Sequence, residues 1–95
     1  MTELRDLQLL TYDYVDDVLE RRGQHREAHL AHIASWRERG ALLMAGATGE
    51  GPNGALIVFE VEDPGEIERF VAADPYVVAG LVVDWRTERW SVVAA

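Results

Sequence analysis

The order of helical and extended segments most constrains what this 95-residue chain can fold into. The apolar runs typical of strands lie at residues 7–15, 41–47, 55–61 and 80–95. Two segments with helical periodicity, residues 22–39 and 64–73, fall between these runs. The order β-α-β-β-α-β predicts a ferredoxin-like α+β fold, in which a four-stranded antiparallel sheet carries both helices on one face.

Local signals mark where the helices begin and end. Gly40 directly follows the first helical segment and predicts its C-terminal stop. Asp63-Pro64, with Glu66 in the first turn, is the pattern of a helix N-terminus. A second pair, Asp74-Pro75, predicts a turn or a further short helix. No linker or low-complexity tract interrupts the chain, so we expect a single domain over residues 1–95.

The first strand has apolar side chains on both of its faces. One alternating set is Leu7, Leu9 and Thr11, and the other is Leu10, Tyr12 and Tyr14. The third strand pattern, ALIVFEV, shows no clean polar face either. Because the helices cover only one face of the sheet, an apolar opposite face needs another cover. We therefore expect a homodimer that is joined through the open sheet face.

Charge and missing residue types exclude several classes of function. The chain has seventeen acidic residues, nine arginines and no lysine, so its net charge is −8 and nucleic acid is not an expected partner. The absence of cysteine excludes disulfides, thiolate catalysis and sulfur-ligated metals. The sequence shows neither a signal-peptide pattern nor a run as long as a membrane span. We therefore expect a cytoplasmic location without membrane association.

The segment GEGPNG, residues 49–54, matches the glycine pattern of dinucleotide-binding loops. That motif works only where a strand precedes it and a helix follows it, because the helix N-terminus binds the pyrophosphate. Here a strand pattern follows, and Pro, Asn and Gly are turn formers. The segment therefore predicts a hairpin connection between the second and third strands.

All three histidines lie in the first helical segment, at His25, His29 and His32. Their spacing of i, i+4 and i+7 puts them along one stripe of a helix. His25 and His32 are about two turns apart, which is too far to share one zinc ion easily, so we expect no metal site. His29 falls on the side of Ile33 and Trp36 and should face the interior. A hydrogen-bonded core histidine and an acid/base group both fit that position.

Motifs in three segments form a pattern that extends over nearly the whole chain. REAHLAHI holds Arg26, His29 and Leu30 in an Arg-x-x-His-Leu arrangement, and GALLMAGA holds two glycines. AADPYVVAGLV holds an Asp-Pro-aromatic turn followed by Gly80, which is the most specific element. The pattern resembles the YCII-related (YciI-like) family of small bacterial proteins. Such proteins are similar in fold to the dimeric α+β barrels, a group that includes muconolactone isomerases.

The resemblance implies an active site in which His29 and Asp74 form a dyad. A carboxylate on one ring nitrogen fixes the tautomer, so that the other nitrogen moves a proton near neutral pH. One characterised activity in the family is dehydrochlorination of a hydroxylated chloroaromatic, a lyase reaction for which no cofactor is required. Asp74 also fits a structural role as N-cap before Pro75, and the two roles are compatible.

Four further residues are candidates for binding a small-molecule substrate. Arg22 and Arg26 lie on the helix of His29 and could bind an anionic group, although arginines are also common on solvated surfaces. Tyr12 and Tyr76 could line the pocket, and packing in the core is the other interpretation of each.

Two hypotheses from different functional classes follow. In the first, the protein is an acid/base enzyme of lyase or isomerase type that acts on a small cyclic or aromatic substrate through His29 and Asp74. In the alternative, it is a non-catalytic dimeric module that binds a metabolite or serves as an accessory subunit through the same pocket. The two differ in one respect: His29→Ala abolishes turnover in the first and changes only binding or stability in the second.

Overall fold

The computed structural model describes residues 5–95 and has the predicted element order, with a short helix after Asp74 and one additional short helix after β1. The strands are β1 (Arg5–Tyr14), β2 (Leu42–Thr48), β3 (Gly54–Phe59) and β4 (Val82–Val92). The helices are α1 (Val18–Arg21), α2 (Gly23–Glu38), α3 (Gly65–Ala73) and α4 (Pro75–Val78). All strand pairs are antiparallel, in the order β2-β3-β1-β4. The ferredoxin-like α+β fold is therefore confirmed.

One face of the sheet carries both long helices. Leu10 of β1 and Ile57 of β3 lie opposite each other and belong to the main core cluster. The same cluster contains Trp36 of α2 and both Ile67 and Phe70 of α3. Since side chains alternate along a strand, these contacts place α2 and α3 on the same side of the sheet.

The opposite face of the sheet carries no helix in the described part of the chain. Leu7, Val58 and Val92 form a second, smaller cluster there. Next to them, Met44 and Trp90 are 61% and 42% exposed. The alternation expected for β1, with apolar residues on both faces, is confirmed.

The helix boundaries and the hairpin turn lie close to the predicted residues. Gly40 has φ +79°, a left-handed conformation that stops α2 and that a side chain would disfavour. The segment GEGPNG connects β2 to β3 as a hairpin, as predicted. Asp63 accepts a hydrogen bond from the Gly65 amide at 2.9 Å at the start of α3. Within residues 5–95, no helix has the length and apolar character needed to cross a bilayer.

The short helix α1 has no counterpart among the predicted elements. It has four residues, of which only Val18 is buried, so it is too short to show a helical period in the sequence. Val18 packs in a third cluster with Tyr76 and Leu81. Tertiary packing of one side chain, rather than local propensity, therefore accounts for this turn.

Candidate active site

A cavity of about 290 Å³ lies between α2 and the corner of the sheet formed by β2 and β3. Its floor is made of three small side chains, which we call the alanine floor: Ala45, Ala47 and Ala55. Leu30 and Ile33 of α2 form part of the opposite wall. Because the side chains of the floor are short, α2 and the sheet do not close on each other here.

His29 lines this cavity and is only 5% exposed. Its Nδ1 lies 2.7 Å from Asp74 Oδ1, which is the distance of a charge-assisted hydrogen bond. The other ring nitrogen, Nε2, has no hydrogen-bond partner among residues 5–95, yet it is not sealed from solvent. One edge of the imidazole is therefore held by a carboxylate, while the other edge is free to meet a ligand.

Asp74 is fully buried and its carboxylate accepts three hydrogen bonds. Besides His29, the donors are the Tyr12 hydroxyl to Oδ2 at 2.8 Å and the Tyr76 amide to Oδ1 at 3.0 Å. The amide contact is the N-cap interaction of α4, so the structural role predicted for Asp74 exists alongside its contact with His29. Three donors from three elements fix the orientation of this carboxylate.

Tyr12 lies behind the His29–Asp74 pair rather than on the cavity wall. It is fully buried, and it is not among the residues that line the cavity. Burial, and next the negative charge of Asp74, raise the pKa of its hydroxyl far above the ordinary value of 10.0. The phenol thus remains a hydrogen-bond donor to Asp74. Of the two interpretations of Tyr12 in the sequence, pocket lining and core packing, the structure favours the buried position, from which Tyr12 orients Asp74.

Tyr76 lies flat against the ring of His29. The two ring centroids are 3.6 Å apart and the ring planes differ by 3°. Tyr76 contributes to the cavity wall, but its hydroxyl oxygen is sealed from solvent and has no partner in the described chain. Its ring therefore holds the imidazole from one side, while its hydroxyl does not face the cavity solvent.

Tyr14 is a cavity residue that the sequence analysis did not nominate. It follows Tyr12 on the same face of β1, and that shared face is the signal that could have identified it. Burial chiefly, and next the nearby Tyr76 and Asp74, raise the pKa of its hydroxyl to about 12 despite the opposing charges of Arg22 and Arg26. Tyr14 is consequently an uncharged hydrogen-bond donor across the neutral pH range.

Arg22 and Arg26 both line the cavity, as their position on the helix of His29 suggested. A third arginine, Arg37, also lines it and was not a candidate from the sequence. Its separation from Arg26, eleven residues or about three helical turns, places it on the same stripe of α2. That periodicity is a signal the sequence already contained.

The other two histidines do not take part in this site. His32 Nε2 lies 2.9 Å from the carbonyl oxygen of Phe70, so it is placed to donate a hydrogen bond that ties α2 to α3. His25 is half-buried and does not line the cavity. Within the described residues, no group of three or more His, Cys, Asp or Glu side chains is arranged to hold a metal ion.

Known structures resemble this chain at two levels of similarity. The 5-chloro-2-hydroxyhydroquinone dehydrochlorinase of Burkholderia phenoliruptrix AC1100, solved with 2,5-dihydroxybenzoquinone, is 28% identical. The match covers 88% of this chain and 92% of that enzyme, with a TM-score of 0.77. A NIPSNAP family protein of unknown function from Agrobacterium tumefaciens is 14% identical, with 94% and 90% coverage and a TM-score of 0.58.

A protein from Nitrosomonas europaea, provisionally named an antibiotic biosynthesis monooxygenase, is 8% identical, with 95% and 100% coverage and a TM-score of 0.62. At such identities these last two matches describe the fold alone. Comparison with curated protein sequences gives no match. The model of the YCII-related domain, however, matches residues 7–91, a span that contains β2, β3 and every helix of the site. This chain therefore belongs to the YCII-related family.

Proposed function

We propose that this protein is an acid/base enzyme of lyase type, in which His29 transfers the proton and Asp74 orients the imidazole of His29. The observation that carries the proposal is the two-sided environment of His29, with Nδ1 on a buried carboxylate and Nε2 open to a small cavity. The dehydrochlorinase that is 28% identical supports elimination chemistry on a small ring. We propose the same substrate class here, a small cyclic or aromatic molecule.

The hydrogen bond to Asp74 determines which nitrogen acts. A carboxylate accepts a hydrogen bond, so Asp74 favours the imidazole tautomer with hydrogen on Nδ1 and a lone pair on Nε2. Nε2 then takes a proton from a C–H or O–H group of the substrate. The electrons of that bond form a new π bond as the carbon–halogen bond breaks. The halide leaves with the electron pair of the carbon–halogen bond. The reaction eliminates HX without net oxidation or reduction, so its balance requires no cofactor.

Neighbouring side chains support the same step. Tyr76, stacked on the imidazole, keeps the ring from turning away from Asp74. The protonated Tyr14 hydroxyl is suited to donate to a substrate oxygen on which negative charge develops. Arg22 and Arg26 favour an anionic substrate group in the same cavity. The surroundings of His29 thus stabilise negative charge that proton removal leaves behind.

Chloride release from 5-chloro-2-hydroxyhydroquinone and related chlorinated hydroxyarenes would test the proposal. We expect His29→Ala to lower kcat by about 10² to 10⁴, the usual contribution of a general base. His25→Ala is the matched control, because it removes a histidine from the same helix outside the cavity, and it should retain activity. Circular dichroism of each variant checks that it is folded.

Full turnover by His29→Ala would contradict the proposal. If the wild type turns over none of these substrates, and His29→Ala changes only ligand affinity or stability, the non-catalytic binding module becomes the better account.

We also propose that the protein is a homodimer joined through its open sheet face, as in the dimeric α+β barrels. The support is the apolar character of that face, where Met44, Leu56 and Trp90 stay exposed beside the Leu7 cluster. Light scattering would test it with Leu56→Arg, which should give monomers. Val78→Arg, at an exposed valine on α4, is the control and should leave the dimer intact. A monomeric wild type would contradict the proposal.

A further inference from the structure

The arginines divide into two groups by their partners. Six of the nine arginines lie within ion-pair distance of a carboxylate. The pairs are Arg5–Glu60, Arg21–Asp17, Arg39–Glu66, Arg69–Asp63, Arg86–Asp13 and Arg89–Asp6. The other three, Arg22, Arg26 and Arg37, have no carboxylate partner among residues 5–95, and all three line the cavity of His29.

The excess of acidic residues makes arginines without a carboxylate partner unexpected. With seventeen acidic residues against nine arginines, carboxylates are in excess over the whole chain. None of the described residues that line the cavity is acidic. Arg39, two residues beyond Arg37, pairs with Glu66 and lies over the Trp36 ring, so partners are available near that end of α2. The cavity is therefore a local positive region on an acidic protein.

The three cations lie towards two ends of the cavity. Arg22 and Arg26 lie at the N-terminal end of α2, and Arg37 lies in its last turn. Arg26 and Arg37 are eleven residues apart, or about 16 Å along the helix axis at about 1.5 Å per residue. Between them the helix presents Leu30 and Ile33 to the cavity. A charged group at each end and an apolar middle are the complement of a ligand with the same pattern.

We infer that the cavity binds a small dianion, with an acidic group near each end of a flat apolar body, such as an aromatic or unsaturated dicarboxylate. The inference specifies the substrate class of the proposed enzyme and so rests on that proposed function. Arginine suits the role because its planar guanidinium binds carboxylates with paired hydrogen bonds. The volume of about 290 Å³ lies at the lower end of the roughly 300–1,000 Å³ of ligand cavities, which restricts the ligand to one ring or a short chain.

The net charge of −8 makes local cations necessary for binding an anion. The field of an acidic protein repels a dianion at long range, so binding one requires cations at close range. Arg22, Arg26 and Arg37, which have no carboxylate partner within residues 5–95, supply them.

Calorimetric titration with terephthalate, benzoate and benzamide tests the inference, because these probes share one ring and carry two, one and no carboxylates. We expect terephthalate to bind the wild type at least about tenfold more tightly than benzoate, and benzamide to bind weakest. Arg37→Gln should remove most of the advantage of terephthalate and leave benzoate binding nearly unchanged. Arg69→Gln, which loses the same charge outside the cavity, should behave as the wild type.

Equal affinities for terephthalate and benzoate, no measurable binding of either acid, or an equal loss of both in Arg37→Gln would each overturn the inference. His29→Gln separates this test from that of the proposed function. A dianion preference that persists in His29→Gln, in a protein without His29-dependent turnover, supports the ligand class while the enzymatic proposal fails. Chloride release that depends on His29 without any dianion preference gives the reverse result.

Discussion

Helix α2 packs on one sheet face in two different ways. On one side its Trp36 meets Phe59 and Phe70 edge to face, with ring centroids 6.1 and 5.5 Å apart; we call these three residues the aromatic core. On the other side it faces the alanine floor across a cavity of about 290 Å³. Helix and sheet are common to both sides. The size of the side chains therefore decides where the domain is closed and where it can hold a ligand.

His29 lies at the boundary between these two regions. At about 100° per residue, Trp36 lies roughly 20° to one side of His29 on the helix and Ile33 roughly 40° to the other. One side faces the aromatic core and the other faces the cavity. This position explains how a nearly buried ring has one nitrogen on Asp74 and still offers the other to a ligand.

The largest expected effect comes from changing side-chain size in the two regions, with a smaller residue in the aromatic core and a larger one in the alanine floor. Phe70→Ala in the aromatic core should lower the free energy of unfolding by about 3–5 kcal/mol, since it removes a buried ring and leaves a void. Ala47→Leu in the alanine floor should lower it by less than about 1 kcal/mol, because the cavity has room, yet it should abolish terephthalate binding. Urea unfolding and calorimetry measure the two effects. A large loss of stability in Ala47→Leu would show that the floor is as tightly packed as the core.

The two Asp-Pro pairs extend the comparison from buried to exposed positions. Asp74→Ala leaves the Tyr12 hydroxyl and His29 Nδ1 without their partner and removes the cap of α4, so we expect a loss of about 2–4 kcal/mol. Asp63→Ala removes only an exposed contact with the Gly65 amide, for which about 0.5–1 kcal/mol is expected. Urea unfolding compares them. Equal losses would mean that capping is the only structural role of Asp74.

Alkaline pH tests the cavity-side tyrosine. The pKa of Tyr14 is about 12 in the folded protein and 10.0 as a reference, so the folded state retains a proton that the unfolded state loses between these values. This contribution to stability is complete below about pH 10 and is lost as the pH rises towards 12. We expect Tyr14→Phe to lose stability less steeply than the wild type over this range, as measured by urea unfolding. Identical slopes would contradict the burial of the phenol.

The smallest effect is expected at Tyr76. Its hydroxyl is buried without a partner in the described chain, whereas its ring stacks on His29. Tyr76→Phe keeps the stack and removes the unpaired group, so stability should change by no more than about 0.5 kcal/mol and activity should persist. A large fall in affinity for terephthalate would show instead that this hydroxyl contacts the ligand.

The sequence predicted the fold well because the relevant signals are local. Periodicity, the Asp-Pro pairs and the glycine stop are properties of short segments, and they placed six elements, the four strands and the two longer helices, within a few residues. Helix α1 was not predicted, because a four-residue helix in which only Val18 is buried is too short to show helical periodicity in the sequence. The N-cap role of Asp74 was likewise readable, since it involves only neighbouring residues.

The site was only partly predictable because it depends on contacts across the sheet. Nothing local to Tyr12 shows that its hydroxyl meets Asp74, sixty-two residues away, instead of a ligand. Tyr14 and Arg37 become candidate ligand-binding residues only because the alanine floor leaves a cavity beside them. The family resemblance thus nominated His29, and its helix drew attention to Arg22 and Arg26, whereas the residues that complete the cavity required the folded chain.

The most direct test of the account is the tautomer of His29, read from long-range ¹H–¹⁵N NMR spectra under conditions where the ring is neutral. Only three histidines must be assigned, and His25→Ala and His32→Gln assist the assignment. We predict hydrogen on Nδ1, directed to Asp74, and a bare Nε2, with this preference weakened in Asp74→Asn. Hydrogen on Nε2 in the wild type would contradict it, because the nitrogen that faces the cavity could then not accept a proton.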